Sequence, residues 1–224
     1  MSVLYVVATP IGNLEDVSVR ALRLLKEVAV IACEDTRQTR KLLGRYGIRT
    51  PLIPYHAHNQ GWAGERILQV LRSGSGVALV SDGGTPGVSD PGASLVRLAR
   101  DSSIPVVPVP GPSALAAILS VSGEGLSGVT FAGFLSPRKG RRRRRLEELL
   151  TGGEALVLFE SPHRILALLA DLRDLAPRRQ LLIGREMTKA HEEFLEGFPD
   201  RLLTELEQRT KIVGEFSVFV RPDK

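Results

Sequence analysis

The feature that most constrains the fold of this 224-residue chain is a set of short, continuous apolar runs, each closed by a Gly/Pro turn or a helical pattern. Residues 4–8, 28–33, 77–80 and 105–109 are too short for buried helices and show no polar alternation, so each reads as a strand buried on both faces. Helical spacing follows them over 18–26, from 34 to 46, over 62–73, over 93–100, and from Pro110-Gly111-Pro112-Ser113-Ala114 to 119. Continuous strands alternating with helices predict an α/β unit whose parallel sheet is covered on both faces. The Gly/Ser-rich segment 120–128 reads as a linker. Beyond it, strands are expected at 129–132, 155–159, 180–183 and 215–221, with helices at 142–150, 162–172 and 199–209. The expectation is therefore two α/β domains, 1–119 and a smaller 129–224.

Three of the first-half strands end in Gly/Pro-rich turns: Thr9-Pro10-Ile11-Gly12-Asn13, the stretch from Ser81 to Gly92 ("SDGGTPGVSDPG"), and Pro110-Gly111-Pro112-Ser113-Ala114. In a parallel sheet these turns share the carboxyl edge, where ligands bind near a topological switch point. Glycine admits close backbone approach and proline fixes shape, so the loops suit a ligand held mainly by backbone. The middle loop carries Asp82 and Asp90 but no Lys or Arg. A phosphate loop would place a lysine there, and a dinucleotide fold would put its glycines at the first turn, which has only Gly12. The pattern fits a ligand with hydroxyls or positive charge better than a nucleoside triphosphate. A plain reading stays open, a tight turn in which Asp90 before Pro91 caps the next helix.

Charge is local. The net charge is +5, and subtracting the seven basic residues Arg138, Lys139, Arg141, Arg142, Arg143, Arg144 and Arg145 leaves −2. Such a block points to a polyanion, or more plainly to a solvated charged loop. The single Cys33 excludes an internal disulfide and a multi-cysteine metal site. No apolar run reaches the roughly 18 residues of a membrane span. The first residues run straight into a strand without a basic leader, so a cytoplasmic protein is expected.

Thr9-Pro10-Ile11-Gly12-Asn13, Glu34-Asp35-Thr36-Arg37, Ser81-Asp82-Gly83-Gly84-Thr85-Pro86, Ser89-Asp90-Pro91-Gly92, Pro110-Gly111-Pro112-Ser113-Ala114, Gly133-Phe134-Leu135 and Arg185-Glu186-Met187-Thr188-Lys189 occur in that order. Together they resemble the tetrapyrrole methylase superfamily over nearly the whole chain. Within it they are similar to the branch that methylates a cytidine ribose 2′-oxygen in the decoding region of 16S rRNA. Ser136, where that branch often has a proline, and Gln60, where it often has an acid, depart from the pattern.

The resemblance implies S-adenosylmethionine as cofactor, held in a cleft between two domains by Pro10, Gly83, Gly84, Thr85, Val88, Ser113, Ala114, Glu160 and Met187. It implies 16S rRNA in the 30S subunit as partner, a homodimer, and no metal. The basic block and Arg37 become the RNA contacts, positioning phosphates rather than reading sequence. Direct methyl transfer needs alignment and removal of a hydroxyl proton. Asp35 and Lys189 are the candidate bases, although either has a structural reading, as does Glu160 as the acid of a helix N-terminus. Two rival functions remain at this level: carbon methylation of a tetrapyrrole, and RNA binding without catalysis.

Overall fold

In the computed structural model, which describes residues 2–125 and 127–223, the expected strands and helices form two compact units, Met1–Ser113 and Ala114–Lys224. Met1, Leu126 and Lys224, which fall in the expected domains and linker, lie outside the described residues.

The first unit runs β1 (Leu4–Val7), a 3-10 turn (Leu14–Asp16), α1 (Val19–Glu27), β2 (Val30–Cys33), α2 (Thr36–Arg45), β3 (Leu52–Pro54), α3 (Gln60–Arg72), β4 (Val77–Val80), α4 (Ala93–Asp101) and β5 (Val106–Val109). All strand pairings are parallel and the order is β3-β2-β4-β1-β5. The sheet separates two apolar layers. Ala21, Leu24 and Leu25 of α1 with Leu42 and Leu43 of α2 cover Val7, Ile31, Cys33, Ala78 and Val80. Ala63, Ile67, Leu68 and Leu71 of α3 with Leu95 and Ala99 of α4 cover Leu4, Val30, Ala32, Val77 and Leu79. This two-sided cover is why β2 and β4 are apolar at every position. Strand β3 was not expected from sequence. It is a three-residue edge strand ending in proline, too short to carry a pattern.

The second unit runs α5 (Ala114–Ser120), β6 (Val129–Phe134), α6 (Lys139–Leu150), β7 (Ala155–Glu160), α7 (Ile165–Leu175), β8 (Leu181–Arg185), β9 (Glu193–Gly197), α8 (Pro199–Glu207) and β10 (Phe216–Val220). Its sheet is mixed, in the order β6-β7-β10-β8-β9: β6 and β7 are parallel, and the other neighbours are antiparallel. Leu146, Ile165, Leu168, Leu169, Leu172, Leu202, Leu203 and Leu206 of the helices cover one face, against Leu156, Leu158, Ile183 and Val218. Strand β9 escaped the sequence reading because it is a half-exposed edge strand with charged residues at both faces.

Two expectations need correction. The division falls before α5, not in 120–128, because Ile118 of α5 packs at Gly184 of β8. The second unit is also nearly as long as the first rather than smaller.

Candidate functional site

The carboxyl edge of the first sheet is assembled by backbone. Thr9 and Gly84 exchange two hydrogen bonds, Thr9 N–H to Gly84 O at 2.9 Å and Gly84 N–H to Thr9 O at 2.8 Å. The connection out of β1 leads past β4 to β2, while that out of β4 leads past β1 to β5, so this bridge sits at a switch point. Thr9 Oγ1 donates to Ser81 O at 3.1 Å, and Thr85 Oγ1 donates to Pro112 O at 3.3 Å. The three Gly/Pro loops are thereby one construction. Glycine is required at two places. A Cβ on Gly83 would lie 3.1 Å from Pro10 O, and Gly84 has φ +87°. The structure thus brings together Pro10, Gly83, Gly84, Thr85 and the segment ending at Ser113, with Val88 N–H closing a turn on Thr85 O at 3.2 Å. Ala114 opens α5. The cap of α4 is Gly92, not Asp90.

Next to these loops lies an acidic corner. Asp35 is the N-cap of α2: its Oδ1 accepts the Arg37 N–H at 2.7 Å, and its own N–H donates to Asp82 Oδ1 at 2.9 Å. The Arg37 guanidinium also pairs with it at 2.8 Å, and these bonds hold the Asp35 pKa down to about 2. A carboxylate so acidic is a poor proton acceptor, which favours the structural reading of Asp35 over its expected role as base. Arg37 itself stays exposed.

Glu34, one residue earlier, escaped the sequence reading. Cys33 pairs with Pro54 and Val80, so Glu34 emerges from the edge between β3 and β4. Its carboxylate has no hydrogen bond or ion pair among the described residues. Burial pushes its pKa up, the Asp82 carboxylate adds to this, His56 offsets part, and Asp35 adds a little more. The signal was present: Glu34 directly follows a buried strand on the ligand edge, as Glu160 does in the second half.

In the second unit, β6, β7 and β8 end on one edge, since Phe134 pairs with Phe159, and Glu160 and Arg185 both lie opposite Phe216. Glu160 is buried. Its Oε1 accepts from Ser161 N–H at 2.8 Å and pairs with Arg164 at 2.7 Å, whereas its buried Oε2 has no hydrogen-bond partner among the described residues. A buried carboxylate oxygen left open is costly unless a donor reaches it. Met187 sits between two left-handed non-glycine residues, Glu186 (φ 51°) and Thr188 (φ 67°), and its side chain rests where a Cβ on Gly184 would be, 2.6 Å from Sδ. Strain of this kind concentrates at functional turns.

Lys189 does not suit the role of base. Its Nζ donates to Glu186 Oε1 at 2.8 Å and Glu215 Oε2 at 3.0 Å. Burial alone would lower its pKa, but the two carboxylates outweigh that and the net shift is upward, so the ammonium keeps its proton.

The model of the tetrapyrrole (corrin/porphyrin) methylases matches residues 3–202. The chain belongs to the tetrapyrrole methylase family. Curated relatives include "Ribosomal RNA small subunit methyltransferase I" of Synechocystis sp., 43% identical over 98% of this chain and 79% of the relative, and that of Xylella fastidiosa, 47% identical over 97% and 81%. The protein of the same name from Bacillus subtilis is 42% identical over 98% of this chain and 75% of its own length. Among solved structures, a cobalt precorrin-4 methyltransferase of cobalamin biosynthesis matches with a TM-score of 0.72 at 16% identity, covering 98% of this chain and 95% of the other. A uroporphyrin-III-C-methyltransferase from Thermus thermophilus matches with a TM-score of 0.67 at 21% identity, covering 99% and 94%. At such identities the structures attest the tetrapyrrole methylase fold.

The basic block of this tetrapyrrole methylase is only partly free. Arg142 is buried and pairs with buried Asp171 at 2.6 Å, and Arg143 pairs with Asp171 at 3.1 Å and Asp174 at 2.8 Å. Arg142 lies one helical turn before Leu146 on the inward face of α6, which corrects its assignment as a phosphate contact. Arg143 is likewise held by two carboxylates. Arg144 and Arg145 share Glu148 at 3.7 and 3.0 Å. Arg138, Lys139 and Arg141 are exposed and carry no ion pair among the described residues. Among the described residues there is also no group of His, Cys, Asp and Glu able to hold a metal ion, and no helix long and apolar enough to cross a membrane.

Proposed function

We propose that the protein transfers a methyl group from S-adenosylmethionine to the ribose 2′-oxygen of a cytidine in the decoding region of 16S rRNA. The observation that carries the reading is the 42–47% identity, over nearly the whole chain, to proteins named ribosomal RNA small subunit methyltransferase I. The lysine-free backbone edge of the first sheet supports it, because it suits a cofactor without phosphate.

When bound, S-adenosylmethionine supplies a methyl group on a positively charged sulfur that leaves without further activation. The residues present fit it. The backbone of Gly83 and Thr85, held in place by Gly84 through its bridge to Thr9, with Pro10, Val88, Ser113 and Ala114, forms a loop edge at fixed positions. Glu160 Oε2 keeps an acceptor for a hydroxyl or amine, and Met187 offers an apolar, polarisable surface. Rigid loops hold reactants in register, which is the larger part of catalysis for an activated methyl donor. Glu34 is the proton acceptor: its carboxylate has no hydrogen bond or ion pair among the described residues, and its raised pKa brings it closer to the range where a base works well. Asp35 and Arg37 anchor the turn that presents it, and Lys189 fastens the Met187 turn. Arg138, Lys139 and Arg141 hold RNA phosphates.

The reading includes a cytoplasmic homodimer acting on the 30S subunit; light scattering checks the dimer. The deciding experiment is mass spectrometry of 16S rRNA after incubating 30S subunits with protein and labelled S-adenosylmethionine, with uroporphyrinogen III as the competing acceptor. One added methyl on a cytidine ribose is expected. Label on the tetrapyrrole alone would refute the reading.

A further inference from the structure

We propose that Phe134, seated on Phe159, is a stacking platform for an unpaired base of the RNA substrate, beside a basic turn that holds the phosphates of the same strand. The proposal rests on the RNA-methylation reading and adds to it a base contact that the basic block cannot supply.

The argument starts with a bulge. Phe131 pairs with Val157, Gly133 with Leu158, and Phe134 with Phe159, so one extra residue is inserted after Phe131 in β6. Gly133 takes φ +59° there. Without the extra residue, strict alternation would set Phe134 on the face of Leu158, the face covered by helices. The bulge instead turns Phe134 to the face of Phe131 and Phe159. Bulges that re-aim one side chain recur next to active sites.

The result is an aromatic cluster open to solvent. Phe134 meets Phe159 edge to face with centroids 5.8 Å apart, and Phe159 meets Phe131 at 5.0 Å. Three of the chain's seven phenylalanines therefore gather at the end of an edge strand. Phe134 is nevertheless 55% exposed. Packing would favour turning this ring inward, and the chain gives up regular pairing to present it. An isolated exposed aromatic would be unremarkable, but this one is oriented by a bulge and braced by a second ring.

The surroundings name the partner. Four residues on, within about 14 Å of chain, Arg138 caps α6, followed by Lys139 and Arg141 in its first turn. These are the three cations of the block that have no ion pair among the described residues. The guanidinium of Arg164 braces the chain just past Phe134, its Nη1 donating to Leu135 O at 3.2 Å while Nη2 pairs with Glu160. Exposed rings beside uncommitted cations are the combination that binds single-stranded nucleic acid: bases stack, phosphates pair. The ring accepts any base, so it positions the strand rather than selecting the cytidine.

The test uses the full chain and a single-stranded RNA oligonucleotide of the decoding region with 2-aminopurine at successive positions, alongside 30S subunits. Phe134→Ala is expected to weaken oligonucleotide binding about 5- to 100-fold, the range of one lost base stack. The slope of log Kd against log salt stays unchanged. Quenching of 2-aminopurine at one position disappears in this variant and persists in Phe134→Trp. The triple variant Arg138→Ser, Lys139→Ser, Arg141→Ser behaves in reverse, with a flatter salt slope and quenching retained at saturating RNA. Calorimetry with S-adenosylmethionine gives the same affinity in all four proteins. Unchanged affinity and quenching in Phe134→Ala overturn the platform. A changed molecular mass in that variant overturns it too, assigning the ring to a contact between copies. If the wild-type protein neither binds nor methylates RNA, the parent reading fails, an outcome distinct from loss of the platform alone.

Discussion

The two units both place turns at strand ends but hold them by different means. In the first, three loops are tied by neutral hydrogen bonds and close packing: the Thr9–Gly84 backbone bridge, the Thr85 hydroxyl to Pro112 O, and glycines against Pro10 and Leu79. Its ion pairs among the described residues, Arg23–Glu27, Arg37–Asp35 and Arg72–Glu65, each have an exposed partner. In the second, side-chain charges do the tying: Arg142–Asp171–Arg143, Arg185–Glu193–Arg209, Glu186–Lys189–Glu215 and Glu160–Arg164. The difference follows from sheet type. A parallel sheet buried on both faces leaves little room for ionised groups, so its edge must be shaped by Gly and Pro. A mixed sheet with charged edge strands can carry its turns on ion pairs. The first edge should therefore respond to changes of shape, and the second to changes of charge.

The largest expected effect separates them by chemistry. Glu34→Gln should lower kcat for 30S methylation about 100- to 10,000-fold, with Kd for S-adenosylmethionine unchanged. Wild-type kcat should fall with decreasing pH through a pKa above the ordinary glutamate value, since only the ionised carboxylate accepts a proton and its pKa is raised. Glu34→Gln should lose that limb. A variant within threefold of wild type would move the proton acceptor elsewhere.

Asp171→Ala comes next. It strands the buried Arg142 guanidinium, for a loss of about 3–5 kcal/mol in urea unfolding. Replacing Arg142 and Asp171 together by Met and Leu should recover most of it. If the single variant is as stable as wild type, the second unit does not depend on its charges as argued. Gly84→Ala tests the opposite side. Forcing a side chain into φ +87° costs about 1–2 kcal/mol, which should weaken S-adenosylmethionine binding roughly tenfold while circular dichroism stays unchanged. Normal affinity would show that the loop tolerates reshaping.

The smallest effect concerns acid. Arg209 above all, then Arg185 against burial, holds the Glu193 pKa down to about 2 from 4.5. A folded pKa below the unfolded one means stability present above pH 4.5 and lost as pH falls from there towards 2. Glu193→Gln should flatten the thermal-stability profile over that window. Asp35 is held as low, yet its partner Arg37 is 84% exposed, so Asp35→Asn should leave the same profile nearly unchanged.

Much of this was legible beforehand because it is local. Strands β2 and β4 declare themselves by apolar composition and the loops by Gly and Pro, which act through the conformations of single residues. For the same reason the Gly/Pro loops around Pro10 and Gly83-Gly84-Thr85 could be located from sequence, while their assignment to a cofactor came from the family resemblance. The short edge strand β3 and the polar edge strand β9 could not be, since edge pairing leaves no clear alternation. Nor could the roles of charged side chains. Arg142 looks like its neighbours in a run of arginines until α7 brings Asp171, 29 residues away, against it. Asp35 and Glu34 are adjacent acids, and which of them is free depends on a helix N-terminus and on Asp82, 47 residues on. The apolar strands, the loops between them and the glycines at their tight points were thus determined by the chain itself. Which charges are spent on structure and which remain for chemistry was decided by tertiary packing, because a charge is defined by its neighbours in space, and those come from distant parts of the chain.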